Sequence, residues 1–502
     1  MLRTLQIFSI ATLLAIIWGI PRGFDFSDEG LYVLLADPGQ SNSNGPILYD
    51  LFFKILFKVF GIQFHIIELR WIRLSGIIFA SIALYFFLRR SFGEKVNPPV
   101  YWIVILGLLG SYAFLPPNLS YNTLLLIGTC IWLYTLSLKN RLGSFLEGLI
   151  LALLFYVKLP AAGLLLIMTI AVSWRSQKSN QIWKLIGLLV SILILEIIFY
   201  WSFKDGLFSR IEFFLSNPFS RPSYNFLNLL KSTLVGVFWM FLSFIVSFLC
   251  RKLITNLKLE RALVIAINLS ILAAIGWVTH ITSEWNHLVL IAFGGVLGWV
   301  YSEIDFKKNA ISNSPINCVL LILPFVLHFG SNVYWLRLGI HFWIFWILLL
   351  YLSWNNGRKL IAYAIGPVIF ILVFLGVWVN PFEQKPLWEA KYEWKYGGNN
   401  AILLNKEQIS FLEILKGIEN ISNSNEIACA YRNPGMAYLL DKKNWGKIGF
   451  WERSELEFEI SKGLPKSIIF YSLDSLPASF SQGYQRKSVG IYQGVETEFL
   501  WK

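Results

Sequence analysis

About thirteen stretches of almost wholly apolar residues, each free of Lys and Arg, divide the first 380 residues. They lie near 5–20, 74–88, 100–115, 120–138, 145–157, 161–174, 185–203, 232–250, 262–279, 287–302, 316–330, 339–353 and 360–379. Inside lipid a chain must satisfy every peptide group internally, which leaves helices as the way for such segments to fold. Several fall short of the ~20 residues that cross a hydrocarbon core. Flanking aromatics (Tyr101, Trp102, Trp174, Trp201, Trp299, Trp354 and Trp378) extend their reach by anchoring at the interface. Charged residues make up only 15% of the chain, against roughly 25% in a soluble protein. That excludes an ordinary soluble enzyme. Four cysteines stand singly at Cys130, Cys250, Cys318 and Cys429, so their spacing encodes neither a disulfide framework nor a zinc cluster.

The net charge of +13 belongs to residues 1–379, because basic and acidic residues balance in residues 380–502. A nucleic-acid partner would require the basic residues on one domain face; they sit instead in short loops, and no nucleic-acid partner is expected. With a cytoplasmic N-terminus the inner loops carry Arg3, Arg89, Arg90, Lys95, Lys139, Arg141, Arg175, Lys178, Lys184, Arg251, Lys252, Lys258, Arg261, Lys307, Lys308, Arg358 and Lys359. The outer loops are longer in total and carry fewer, as the positive-inside rule requires. The expected location is a cell (inner) membrane, crossed many times. No small-x-small cleavage site precedes Pro21, so the first stretch is expected to be a span and not a removed signal.

An odd number of crossings divides the chain into a membrane domain, 1–380, with a long first outer loop at 21–73, and an extracytoplasmic C-terminal domain, 381–502. The expected fold class is an α-helical polytopic membrane protein with a small C-terminal α/β domain. In the tail, a helix over Lys406 to Glu419, strands at Glu426 to Tyr431 and Ser467 to Tyr471, a short helix from Met436 to Leu440, and β-rich runs at Ser488 to Tyr492 and Glu496 to Trp501 alternate. A second long outer loop runs from Lys204 to Lys231. Within the first, Ile47 to Phe60 puts Leu48, Leu51, Phe52, Ile55, Leu56 and Val59 on one helical face. That pattern fits an amphipathic helix in the interface plane, or a short re-entrant segment.

Asp25, Asp28 and Glu29 fall within five residues just after the first span. Such crowding near a membrane raises at least one carboxyl pKa, and a carboxylate so placed can take a proton from an attacking hydroxyl or amine. The competing reading is a helix start, with Ser27 as N-cap and Asp28 and Glu29 complementing the dipole. One span, then Asp28-Glu29-x-x-Tyr32, then Asn44-Gly45-Pro46-Ile47-Leu48-Tyr49 resembles the membrane glycosyltransferases of the GT-C fold. The likeness is to the group with the protein O-mannosyltransferases and the lipid A aminoarabinose transferase. Looser likeness is found at Tyr156-Val157-Lys158-Leu159-Pro160 and Tyr431-Arg432-Asn433-Pro434-Gly435.

The resemblance implies about thirteen spans, a polyprenyl-phosphate-linked sugar donor, and inverting transfer with Asp28 as base and Glu29 in support, with Tyr32 of the motif at the substrate. Members often carry a second acid at the fourth span; here the segment reads Pro116 to Asn122, where Asn118 or Asn122 could bond a sugar or acceptor, and a two-acid or metal-dependent site is placed in doubt. A lipid phosphate needs fixed cations. Lys158, in a short turn, is one candidate, with snorkelling as the alternative. Arg210, Arg221 and Arg337 are further outer cations, for which plain surface charges or lipid-headgroup contacts are the favoured reading, with Arg337 the one assigned to substrate.

His280, Glu284 and His287 could share a helical face and hold a metal, or form an interfacial loop in which Glu284 and Trp285 contact the sugar. Glu196, inside the seventh span, is either a buried hydrogen-bonding partner or part of a cavity lining. No metal or other cofactor is expected, and the partners expected are the lipid-linked donor, membrane lipids and an acceptor of unknown class. Two further readings compete: a lipid-linked substrate transporter or flippase, which would show symmetric halves, and a lipid-linked glycan ligase or polymerase, which would rely on outer Arg and His residues late in the chain.

Overall fold

The computed structural model describes the chain except for residues 42–46, 94–95, 97, 115, 174–177, 217–225, 255–258, 260–261, 264–265, 268–269, 271–272, 275–284, 304–314, 355–356, 423 and 481–482. Helices in order are α1 (Leu2–Gly19), α2 (Asp28–Ala36), α3 (Asp50–Phe60), α4 (Ile66–Phe92), α5 (Pro99–Leu109), α6 (Tyr121–Leu136), α7 (Arg141–Val157), α8 (Leu159–Ser173), α9 (Lys178–Phe203), α10 (Leu207–Ser216) and α11 (Phe226–Leu253). Then follow α12 (Trp285–Glu303), α13 (Pro315–His328), α14 (Trp335–Leu338), α15 (Ile344–Ser353) and α16 (Arg358–Phe374). The candidate stretch 262–279 lies largely outside the described residues.

Thirteen crossings are not reached on length and composition. Among the described residues five helices are long and apolar enough to span a membrane, or six if α14 and α15, bent by 69° at their junction, count as one. Five shorter apolar helices accompany them. Their outward faces identify the surroundings: Ile7, Ile10 and Leu14 on α1 and Leu185, Leu189, Leu193 and Ile197 on α9 are exposed. Contiguous exposed apolar faces of this kind belong in lipid, so the chain is a helical membrane protein. At the centre, every residue of α15 is buried, and Trp335, Trp343 and Trp346 fill the space around it. A helix apolar on all sides requires such enclosure. Helices α7 and α9 touch at Gly148 and Gly187, where an added Cβ would overlap the backbone of the other helix; small residues allow this approach in membranes.

Successive helices run back and forth, and one end of the bundle is tied together by buried cations. Arg70, at the start of α4, donates to the carbonyls of Ile20 and Gly23 after α1. Arg73 donates to those of Ser111 and Pro116 after α5. Lys158, in the break between α7 and α8, donates to the carbonyls of Leu327 and His328 at the end of α13. The opposite helix ends carry Arg89, Arg90, Arg141, Lys184, Arg251, Lys252, Arg358 and Lys359.

After the bundle come β1 (Tyr392–Tyr396), β2 (Asn400–Leu404), α17 (Lys406–Ser422), β3 (Glu426–Ala430), α18 (Gly435–Leu439), β4 (Lys443–Asn444), α19 (Arg453–Ile460), β5 (Ser467–Tyr471), β6 (Gln485–Tyr492) and β7 (Val495–Trp501). Five strands form a mixed sheet in the order β4-β3-β5-β7-β6; β1 and β2 pair separately as an antiparallel hairpin that the sequence patterning did not reveal. This region is built onto the first loop. Gly23 N–H donates to Leu403 O and Leu403 N–H to Pro21 O, at 2.8 and 2.9 Å, and Gly435 N–H donates to Phe26 O at 2.8 Å. Phe24, Phe26 and Tyr32 share one core with Phe411, Met436 and Tyr492. Gly30 and Gly435 meet with no room for a Cβ on either.

The helix expected across Ile47 to Phe60 forms as α3. It buries Asp50, Leu51 and Phe53, ends at Gly61 in a left-handed cap, and leaves Phe57, Val59, Phe60 and Ile62 exposed at its tip.

Candidate active site

Helix α2 begins where the sequence places it, but the capping differs from expectation. Ser27 makes no side-chain cap. The Asp25 carboxylate accepts the Ser27 and Glu29 N–H groups instead, at 2.9 and 3.0 Å. An aspartate two residues earlier reaches the orphan donors of the first turn, which frees the Ser27 hydroxyl to bond the carboxylate of Glu383.

Asp28 and Ser27 line a cavity of about 540 Å³ where the bundle end meets the C-terminal sheet. Arg337, Asn286 and Asn332 join them from the bundle, Glu383 from the segment after α16, and Arg432 and Trp451 from the sheet region. The cavity size suits a small polar ligand. Asp28 stands in the first turn of α2, where the N-terminal dipole favours an anion. The guanidinium of Arg337 packs over the Phe114 ring, 5.2 Å from its centre.

Burial pushes the Asp25 carboxyl well above the ordinary range, and the neighbouring Glu383 and Asp28 charges add to it. The crowding of acids read from the sequence thus raises a pKa, at Asp25. Glu383 lines this cavity; desolvation raises its carboxyl, opposed by Arg432, the Ser27 hydroxyl and Arg337. It supplies a second acid, from a segment the sequence did not single out.

Among the described residues the remaining candidates do not line the cavity. Glu29 is wholly buried and receives Nε and Nη2 of Arg70 on its two oxygens, both at 2.8 Å; it holds the loop. Tyr32 is buried against Tyr121. Asn122 and Lys158 are both buried and face each other at 3.3 Å, with Lys158 directed to the ends of α13. Arg210 is no surface charge: it forks onto Asp50 and Asp205 and ties α10 to α3. Glu196 is half-buried and acts as a hydrogen-bonding partner, accepting from Tyr156 Oη and from the Leu207 N–H that opens α10. Glu284, His280 and Arg221 lie outside the described residues. Among the described residues no group of three or more His, Cys, Asp or Glu side chains is placed to hold a metal ion.

Of the residues missed, Glu383 and Arg432 share a signal that exists only in the backbone: both adopt positive φ, +49° and +63°. Strained non-glycine residues of this kind gather at functional sites. No family model and no curated protein sequence matches the chain. Among solved structures it is similar to the oligosaccharyltransferase of Archaeoglobus fulgidus, crystallised with zinc and sulfate, at 12% identity and a TM-score of 0.45, over 93% of this chain and 68% of that one.

Proposed function

We propose that the chain is an integral-membrane, inverting glycosyltransferase that moves a sugar from a polyprenyl-phosphate donor to an acceptor on the outer face of a bacterial inner membrane. The observation that carries this reading is the joint presence of Asp28 and Arg337 on one cavity at the bundle end away from the basic helix termini. The positive-inside rule puts that end outside. The acceptor hydroxyl or amine attacks the anomeric carbon and gives its proton to the Asp28 carboxylate. The bond from that carbon to the phosphate oxygen breaks, and polyprenyl phosphate leaves with the electron pair, its charge met by Arg337. Glu29 acts through Arg70 by holding the loop that carries Asp28. The exposed apolar tip of α3 suits insertion at the interface beside the donor lipid.

A panel of polyprenyl-phosphate hexoses, presented to purified protein in lipid with crude acceptor extract, tests the reading through release of free polyprenyl phosphate. Asp28→Asn should reduce that release by about 10²-fold or more with an unaltered melting curve. Full turnover in this variant would remove Asp28 from the reaction. The late position of Arg337 and Arg432 also favours a lipid-linked glycan ligase, and survival of transfer in Asp28→Asn with loss in Arg337→Ala would select it.

A further inference from the structure

The C-terminal region supplies Arg432 and Trp451 to the cavity wall. Four fixed points hold the backbone that delivers Arg432. Tyr431 is buried, with its hydroxyl on the Ser475 carbonyl at 2.9 Å; Arg432 N–H donates to Phe450 O at 2.7 Å; Gly435 N–H donates to Phe26 O; and Gly435 abuts Gly30 in the helix that carries Asp28. Arg432 itself is left exposed on the cavity side of this braced turn. Its left-handed φ suits glycine and costs a residue with a Cβ, yet an arginine stands there. Both Arg432 and Arg337 act electrostatically on the one carboxylate of Glu383. Arg337 and Arg432 thus line one cavity together with Glu383, and paired guanidinium forks match the oxygens of a phosphate.

We infer that Arg432 and Arg337 together form the seat of the donor phosphate, which makes the C-terminal region a part of the donor site. This rests on the transferase reading above and adds the region's contribution to it. Arg432→Gly is the telling variant, because glycine fits the backbone at φ +63° and the fold should melt at or above the wild-type temperature. Binding of undecaprenyl phosphate to the detergent-purified full chain should weaken about ten- to hundredfold in this variant, while binding of uncharged undecaprenol is unchanged. Arg432→Lys, which keeps charge without the fork, should fall between. In turnover the donor KM should rise and the acceptor KM stay level. Unchanged phosphate affinity in a stably folded Arg432→Gly, or a rise confined to acceptor KM, would overturn the inference alone. A wild-type protein that binds undecaprenyl phosphate no better than undecaprenol would overturn the donor reading itself.

Discussion

Removal of Glu29 tests whether this acid belongs to the chemistry or to the frame beneath it. Its side chain is fully buried, and both oxygens accept from Arg70 at 2.8 Å. Arg70 is 1% exposed and also donates to the carbonyls of Ile20, Arg22 and Gly23. Glu29→Gln leaves one acceptor facing two donors and a buried guanidinium with no counter-charge. Breaking one side of a buried pair costs about 3–5 kcal/mol. Arg70→Met should cost at least as much, because it strands the Glu29 carboxylate and three carbonyl acceptors together. The double variant Glu29→Leu/Arg70→Met removes the stranded charges and keeps only the loss at the carbonyls. Its destabilisation should fall short of the sum of the single losses by about 2 kcal/mol or more. Denaturant titration in mixed micelles, followed by tryptophan fluorescence, measures all the variants. Additive costs, or a Glu29→Gln variant within about 1 kcal/mol of wild type, would refute the argument that this pair fastens the loop.

Burial raises the Asp25 carboxyl above its ordinary value of 3.8, so the folded state favours the protonated form. Its contribution to stability is complete below that value and is lost as pH rises toward the raised one. Melting temperature plotted from pH 4 upward should therefore fall less steeply in Asp25→Asn, and parallel curves would contradict the placement. Gly30→Ala drives a methyl into the Gly435 backbone and should cost about 3 kcal/mol, with loss of whatever activity Asp28 supports. Gly163→Ala, where a Cβ meets nothing within 4 Å, should instead gain up to about 1 kcal/mol in its helix; equal melting of the two variants would count against the close contact.

Apolar runs, basic loop ends and the alternating tail were legible because they are local: hydropathy, charge and residue periodicity act over a few neighbours. The strands Glu426–Ala430 and Ser467–Tyr471 and the helix Lys406–Ser422 stand where the sequence pattern puts them. Asp28 and Arg337 were also singled out in the sequence, and both line the cavity; Glu383 and Trp451, which line it with them, were not. Glu29 and Lys158 carry the same charges in the sequence as Asp28 and Arg337, and only the fold buries the first two, against Arg70 and helix-end carbonyls, and places the other two on the cavity wall. Arg432 lies about 400 residues from Asp28 along the chain, and it joins the cavity because the Gly30 and Gly435 backbones touch. The sequence by itself determined a lipid-embedded helical bundle followed by a mixed sheet, because transfer free energy is set residue by residue. Tertiary structure decided which of many charged side chains form a site, because desolvation and pairing depend on neighbours that the chain brings together only by folding.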